Sequence, residues 1–405
     1  MNLRDCLFAF SLYADLLFFG VASIVGYTFE GSESSPIYKI YMAAMGGIVI
    51  GTVILYAMRG KIQLSISLWI LLVMLPTFVI ASYFWQTGGY LLDTSRMAQN
   101  VQYMLCFSYT GCCAGIYVAN QGLAHFVKYF DLAMVIMTIS LAYATASSIT
   151  GISNVGGASY QTMSYMAGFT FCLNLCLILW GKQYERFSLF KGEKWNIVAY
   201  LMLTVQLLAC LISGGRGGFV LLALGSAYML YRSRNLGKML ILCIVGVIIA
   251  FASSSLFDTE LFAKLQNSTA RTFNYLDSDT EHVIEVSGRS DIVEHTINII
   301  KEDNFMGRGL FRSIQEFYPH NFLLEVLEQG GILYLLFWVV ALIAITRKIN
   351  KMINQEHLEI ILPLALYPAV FLMLSGTYTY NTLFWFVISF VWTKCELDSK
   401  TILAK

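Results

Sequence analysis

The sequence predicts an all-α, polytopic integral membrane bundle of about twelve transmembrane helices, with one large loop outside the membrane that contains short helices. Three observations carry that prediction. Hydrophobic residues make up 57% of the chain, charged residues only 13%, and apolar runs of bilayer-crossing length recur from end to end. Soluble domains carry about a quarter charged residues, so no separate soluble core is expected. The net charge of +1 names no partner, and no nucleic acid is expected as one.

The expected spans are roughly 6–26, 37–57, 63–83, 101–121, 131–150, 162–181, 196–213, 217–231, 238–257, 331–347, 358–375 and 380–396. A crossing helix needs about 20 residues, so 217–231 should extend past one of its ends. The first span follows Arg4 without a small-residue cleavage site and reads as a retained anchor. Asp15 within it is costly in lipid, roughly 2.5–3.5 kcal/mol on insertion scales, and should face the bundle.

Charge asymmetry orients the bundle. With a cytoplasmic N-terminus, 17 of the 26 cations fall on inner segments and nine on outer ones. The short outer turns are nearly bare. Six of the nine outer cations lie in the loop from about 258 to 319, and Arg216 sits in a tight outer turn. An even span count returns the C-terminus to the cytoplasm. The chain then divides into transmembrane helices one to nine (1–257), an outer loop (258–330), and the last three helices with a tail (331–405). In the loop, Ile292, Ile297 and Ile300 recur at near-helical spacing before Gly307-Arg308-Gly309, which predicts one or two surface helices and a stop.

Two motifs carry chemistry. "SGGRGGFV" (213–220) sets Arg216 among four glycines at the start of a helix. Glycines let backbone N–H groups approach an anion, a helix start favours negative charge, and arginine's planar fork fits phosphate oxygens. An interfacial arginine in a flexible turn, held by lipid headgroups, explains the stretch equally well. "PHNFLLEVLEQGG" (319–331) reads as a helix ending near Gly330 or Gly331. Phe322, Leu323, Val326 and Leu327 form its apolar stripe; Asn321, Glu325 and Glu328 share the opposite face. His320 stands at the entrance, and histidine titrates near neutral pH and accepts protons from hydroxyls. Tyr160 and Gln161, in "GASYQTMSYMAGF", suit sugar binding, though interfacial tyrosine is also ordinary belt composition. Asp277-x-Asp279 lacks the glycine of a calcium loop, and the nine cysteines include no CxxC pair, so no metal is expected.

Together, glycine-flanked Arg216, "SGRSDIVEHTINIIKEDNFMGRGL" and "HNFLLEVLEQGGILYLLF" resemble the O-antigen polymerase and O-antigen ligase superfamily of bacterial membrane glycosyltransferases. The motifs cover roughly 200–345, and the topology covers the whole chain. The resemblance implies a large periplasmic loop, an inverting, cofactor-free and metal-independent mechanism, and undecaprenyl-diphosphate-linked oligosaccharides as substrates in the bacterial inner membrane. It also implies a chain-length regulator protein as a further partner. It places the diphosphate-binding arginines at Arg216 and Arg289 and the base at His320. From the residues themselves, Asn321, Glu325, Arg308, Arg312, Tyr160 and Gln161 are further candidate substrate contacts. The aromatic, amide-rich entry to the sixth span looks more like a polymerase than a ligase.

The residue types fit that chemistry independently. Fixed arginines stabilise charge developing on a leaving diphosphate, and a positioned histidine takes the acceptor's proton. A flippase is the rival class, but the two halves of the chain do not look alike, and apart from Asp15 the charges cluster at one face. A scaffold would leave the arginine and histidine motifs unexplained.

Overall fold

The computed structural model describes residues 2–25, 35–63, 103–149, 160–234, 290–307 and 319–403. Among the described residues every regular element is helical. In chain order the α-helices are α1 (Leu3–Ser11), α2 (Ala14–Val25), α3 (Pro36–Met58), α4 (Thr110–Gln121), α5 (Leu123–Ile149) and α6 (Tyr160–Trp180). They continue with α7 (Glu193–Ser213), α8 (Arg216–Ser233), α9 (Ser290–Glu302), α10 (Phe322–Glu356), α11 (Ile361–Leu374) and α12 (Thr382–Leu403). A π-helical turn, Leu105–Tyr109, leads into α4.

Five of these helices, α3, α5, α6, α7 and α10, are long and apolar enough to cross a membrane. The expected first span is not one straight helix: α1 and α2 meet at 94°, and only as a bent pair do they pass as a sixth. Asp15 lies in the first turn of α2, just past this bend, where the free N–H groups of a helix start favour a carboxylate. Helices also form at four other expected positions (α4, α8, α11 and α12), but they do not meet the length and apolarity of a crossing helix. The expected spans 63–83 and 238–257 lie outside the described residues.

The chain packs as two compact units. The first comprises residues 1–41, 124–277 and 362–370. Its central element is α6, packed against both α7 and α8. Every residue from Met163 to Leu177 is buried, as an all-round apolar helix requires. Hydrogen bonds cross this interior. Asn174 Nδ2 donates to Ala199 O (2.9 Å) and to Gln206 Oε1 (3.2 Å), and Gln206 Nε2 donates to Thr138 Oγ1 at 2.7 Å. Such side-chain bonds hold helices together where apolar surroundings supply no hydrophobic drive. Beyond α6, Arg186 turns back onto α5 and grips buried Asp131 through two bonds of 2.7 Å. The sequence counts Arg186 simply as an inner-loop cation; here it is the partner a buried carboxylate needs.

The second unit comprises residues 42–123, 278–361 and 371–405. Among its described elements α4 packs against α12. A Cβ added at Gly111 would lie 2.2 Å from Thr382 O, and one at Gly115 would lie 2.1 Å from Ser389 Oγ. This Gly-x-x-x-Gly spacing lets two backbones meet. Phe322, Trp338, Tyr378, Phe384 and Trp385 form an aromatic cluster beside them, with centroid separations such as 5.6 Å for Phe322–Tyr378 and 6.0 Å for Trp338–Trp385. The amphipathic α9 packs on α10 and buries Thr296, Ile299 and Ile300.

α10 is two helices. Gly331 has φ 71° and ψ −169°, so 322–330 ends there and 332–356 begins. The stop expected at Gly330-Gly331 is thus a real break. Phe305 O, in the turn after α9, accepts a hydrogen bond from Ile332 N at 3.0 Å. Gly307, at φ 85°, passes so near that a Cβ there would lie 2.5 Å from Gly331 N. The predicted surface helix therefore ends in a turn fitted against the break in α10.

Candidate active site

In the second unit, the entrance to α10 is built from three consecutive backbone states. Pro319 is buried, His320 is left-handed (φ 50°), and Asn321 is extended (φ −148°, ψ 120°). Asn321 Oδ1 accepts from Leu323 N (3.0 Å) and Leu324 N (3.2 Å). These are two of the orphan N–H groups of a helix start. Asn321 is therefore the N-cap and does not share a helix face with Glu325 and Glu328, as periodicity alone suggests. A left-handed histidine costs about 1–2 kcal/mol. It is held by the cap that follows and by a bond from its own ring, with His320 Nδ1 3.1 Å from Ser375 O. A carbonyl only accepts, so Nδ1 carries hydrogen, and in the neutral ring Nε2 becomes the accepting nitrogen.

Ser375 begins a short strap, residues 375–381, that joins α11 to α12. Nearly every residue of the strap is held. Thr377 Oγ1 donates to Glu325 Oε1, which also accepts from Gln329 Nε2 (3.2 Å). Tyr378 OH donates to Gln329 Oε1 at 2.5 Å and lies 3.1 Å from Tyr334 OH. Trp385 Nε1 donates to Tyr378 O (2.7 Å), and Ser108 Oγ, presented by the π-turn, donates to Thr379 O (2.5 Å). Asn381 Oδ1 then caps α12 through Phe384 N at 2.8 Å. Glu325 is fully buried and Glu328 nearly so. Glu325 bonds to the strap. Sequence reasoning missed the strap altogether. Its signal was "SGTYTYNT", a dense run of hydroxyls between two apolar helices.

The arginine turn belongs to the first unit. α7 ends at left-handed Gly214 (φ 68°), Gly215 is the N-cap of α8, and Arg216 opens that helix with its side chain exposed. The neighbouring glycines serve packing. Added Cβ atoms would lie 2.4 Å from Ser164 Cβ at Gly215, 1.9 Å from Tyr165 Oη at Gly217 and 2.0 Å from Ser164 O at Gly218. Ser164 Oγ donates to Gly215 O at 2.5 Å. The glycines read from sequence as an anion cradle are what lets α8 lie directly on α6. Tyr160 and Gln161 start α6 beside this turn: a Cβ at Gly215 would be 3.3 Å from Tyr160 O, and Gln161 Nε2 donates to Tyr160 Oη at 3.3 Å. Tyr160 is exposed. The structure thus brings Arg216 together with Tyr160 and Gln161, and His320 together with Asn321, Glu325 and the strap. Arg289, Arg308 and Arg312, like Asp277 and Asp279, lie outside the described residues.

Residues 198–339 match the family model described as O-antigen ligase. The match covers about a third of the chain and supports membership of the O-antigen polymerase and ligase superfamily. No curated protein and no solved structure matches the chain. The matched stretch contains the arginine turn, α9 and the histidine-bearing start of α10. The strap and the start of α6 fall outside it, yet each adjoins one of the two motifs.

Proposed function

We propose that the protein is a polysaccharide polymerase of the bacterial inner membrane. It moves a growing glycan from undecaprenyl diphosphate to a lipid-linked repeat unit at the periplasmic face. The observation that carries this reading is the 3.1 Å contact of His320 Nδ1 with Ser375 O, which in a neutral ring makes Nε2 the proton-accepting nitrogen at the start of a capped helix. Nε2 takes the proton of the acceptor hydroxyl as its oxygen attacks the anomeric carbon. The glycosidic bond breaks on the opposite face, and its electron pair leaves with the lipid diphosphate, so configuration inverts. Arg216 and Arg289 meet the charge that develops there, with Arg308 and Arg312 as further cations for the anionic substrate. No metal or cofactor is required by this scheme. A positioned base adds about 10²–10⁴ in rate, and a fixed donor to the developing anion about 10²–10³.

In vitro transfer with purified lipid-linked repeat units tests the base. His320→Ala should abolish transfer at an unchanged yield of folded protein, and the wild-type rate should fall on the acid side as the imidazole gains a proton. A His320→Ala protein of near-normal rate and unchanged acid limb would sink this assignment. The matched model's description as O-antigen ligase favours a second reading, transfer to a lipid A core. Lipid-linked glycans from a deletion strain separate the two: single repeat units mean polymerase, and long unligated polymer means ligase.

A further inference from the structure

We propose that the 375–381 strap, pinned by buried Glu325 through Thr377, sets the tautomer of His320. Glu325, from the histidine motif, and Thr377, from a stretch that neither sequence motif covers, are then positioning residues for the transfer. The inference rests on His320 being the base.

The strap's geometry carries it. In water a neutral imidazole holds its proton mainly on Nε2, the wrong nitrogen for a ring whose Nε2 must accept. Ser375 O reverses that preference by taking a hydrogen bond from Nδ1 (3.1 Å). The reversal works only if Ser375 O stays in place, and the backbone there is irregular, with Ser375 at φ −152°, ψ −35° directly after α11. Two residues later Thr377 Oγ1 donates to Glu325 Oε1. Glu325 is fully buried in the same helix that His320 introduces. The same carboxylate oxygen also accepts from Gln329 Nε2 (3.2 Å), and Gln329 Oε1 holds the next strap residue, Tyr378, at 2.5 Å. The histidine and its anchor are therefore tied to one rigid turn of helix, 325–329. Periodicity alone suggests Glu325 as a sugar ligand or a direct partner of His320. The structure bonds it to the strap through Thr377.

The test reads the tautomer directly. Solid-state nitrogen-15 spectra of the histidine-labelled full-length protein in lipid, with the His320 signal identified by its loss in His320→Gln, should show Nδ1–H. A wild-type ring protonated at Nε2 overturns the proposal whatever any variant does. Thr377→Val removes the donor to Glu325 at similar volume and should give a mixed signal. Its kcat should fall roughly tenfold, part of the 10²–10⁴ a base supplies, with KM for the lipid-linked acceptor unchanged. Thr377→Ser should restore both. A Thr377→Val protein with a pure Nδ1–H signal overturns the proposal, whether its rate is normal or reduced, because the strap then does not act through the ring. If instead His320→Gln transfers at the wild-type rate, the base reading fails while the spectra still report on the strap.

Discussion

Within five residues, 214–218, the arginine turn divides two tasks among its side chains. The glycines bring α8 against α6, and the side chain of Arg216 is exposed. Substitutions should separate the tasks. Arg216→Lys keeps the charge and loses the fork. It should reduce polymer formation by about 10²–10³ with the melting temperature unchanged. Gly218→Ala drives a Cβ to 2.0 Å from a main-chain oxygen of Ser164. It should cost about 1–3 kcal/mol as overpacking does, seen as a lower melting temperature of the detergent-solubilised protein. Full-length ladders from Arg216→Lys at matched expression would remove the arginine from the chemistry. The two residue types most tied to the proposed reaction, one histidine and one arginine, were legible in the sequence. Their neighbours' roles were not. A cap residue and a helix-face residue look alike in periodicity, so Asn321 was placed on a face it does not share. A glycine's close contact lies on another helix, which no local window shows.

At the scale of elements, breaks and turns decide where the site groups stand. Gly331 holds a backbone conformation open almost solely to glycine, and a Cβ there would lie 2.3 Å from Phe305 O. Gly331→Ala should therefore cost about 2–5 kcal/mol from strain and overlap combined. Limited proteolysis should then cut the turn after α9 faster than in the wild type. A Gly331→Ala protein as resistant as wild type would mean that this turn is not held by the break. Apolar periodicity predicted α9 and the glycine stop correctly because both signals are local. The π-turn at 105–109 and the 94° bend between α1 and α2 were invisible, since hydropathy measures what a segment buries and not how it is bent. The strap escaped for a related reason: at seven residues it is too short for any period, and its meaning lies in bonds to Glu325, Gln329 and Ser108.

At the scale of the molecule, hydropathy points to a helical membrane protein, and among the described residues five helices, or six with the bent pair, are long and apolar enough to cross a membrane. The topology we propose puts both termini in the cytoplasm and residues 258–319 outside, from the 17-to-nine division of cations. A single thiol placed at Ser278 in a cysteine-free background should react with an impermeant reagent in intact spheroplasts. Reaction only after the membrane is opened would invert the model. The break in α10 has a mechanical meaning at this scale. A helix that crosses a bilayer tilts as the bilayer thins or thickens, and a continuous helix would transmit that tilt along its full length. The joint at Gly331 interrupts the backbone ladder between the part that feels lipid and the part that bears His320. If His320 is the base as proposed, changes in acyl-chain length should be absorbed at the joint and leave the orientation of His320 unaltered.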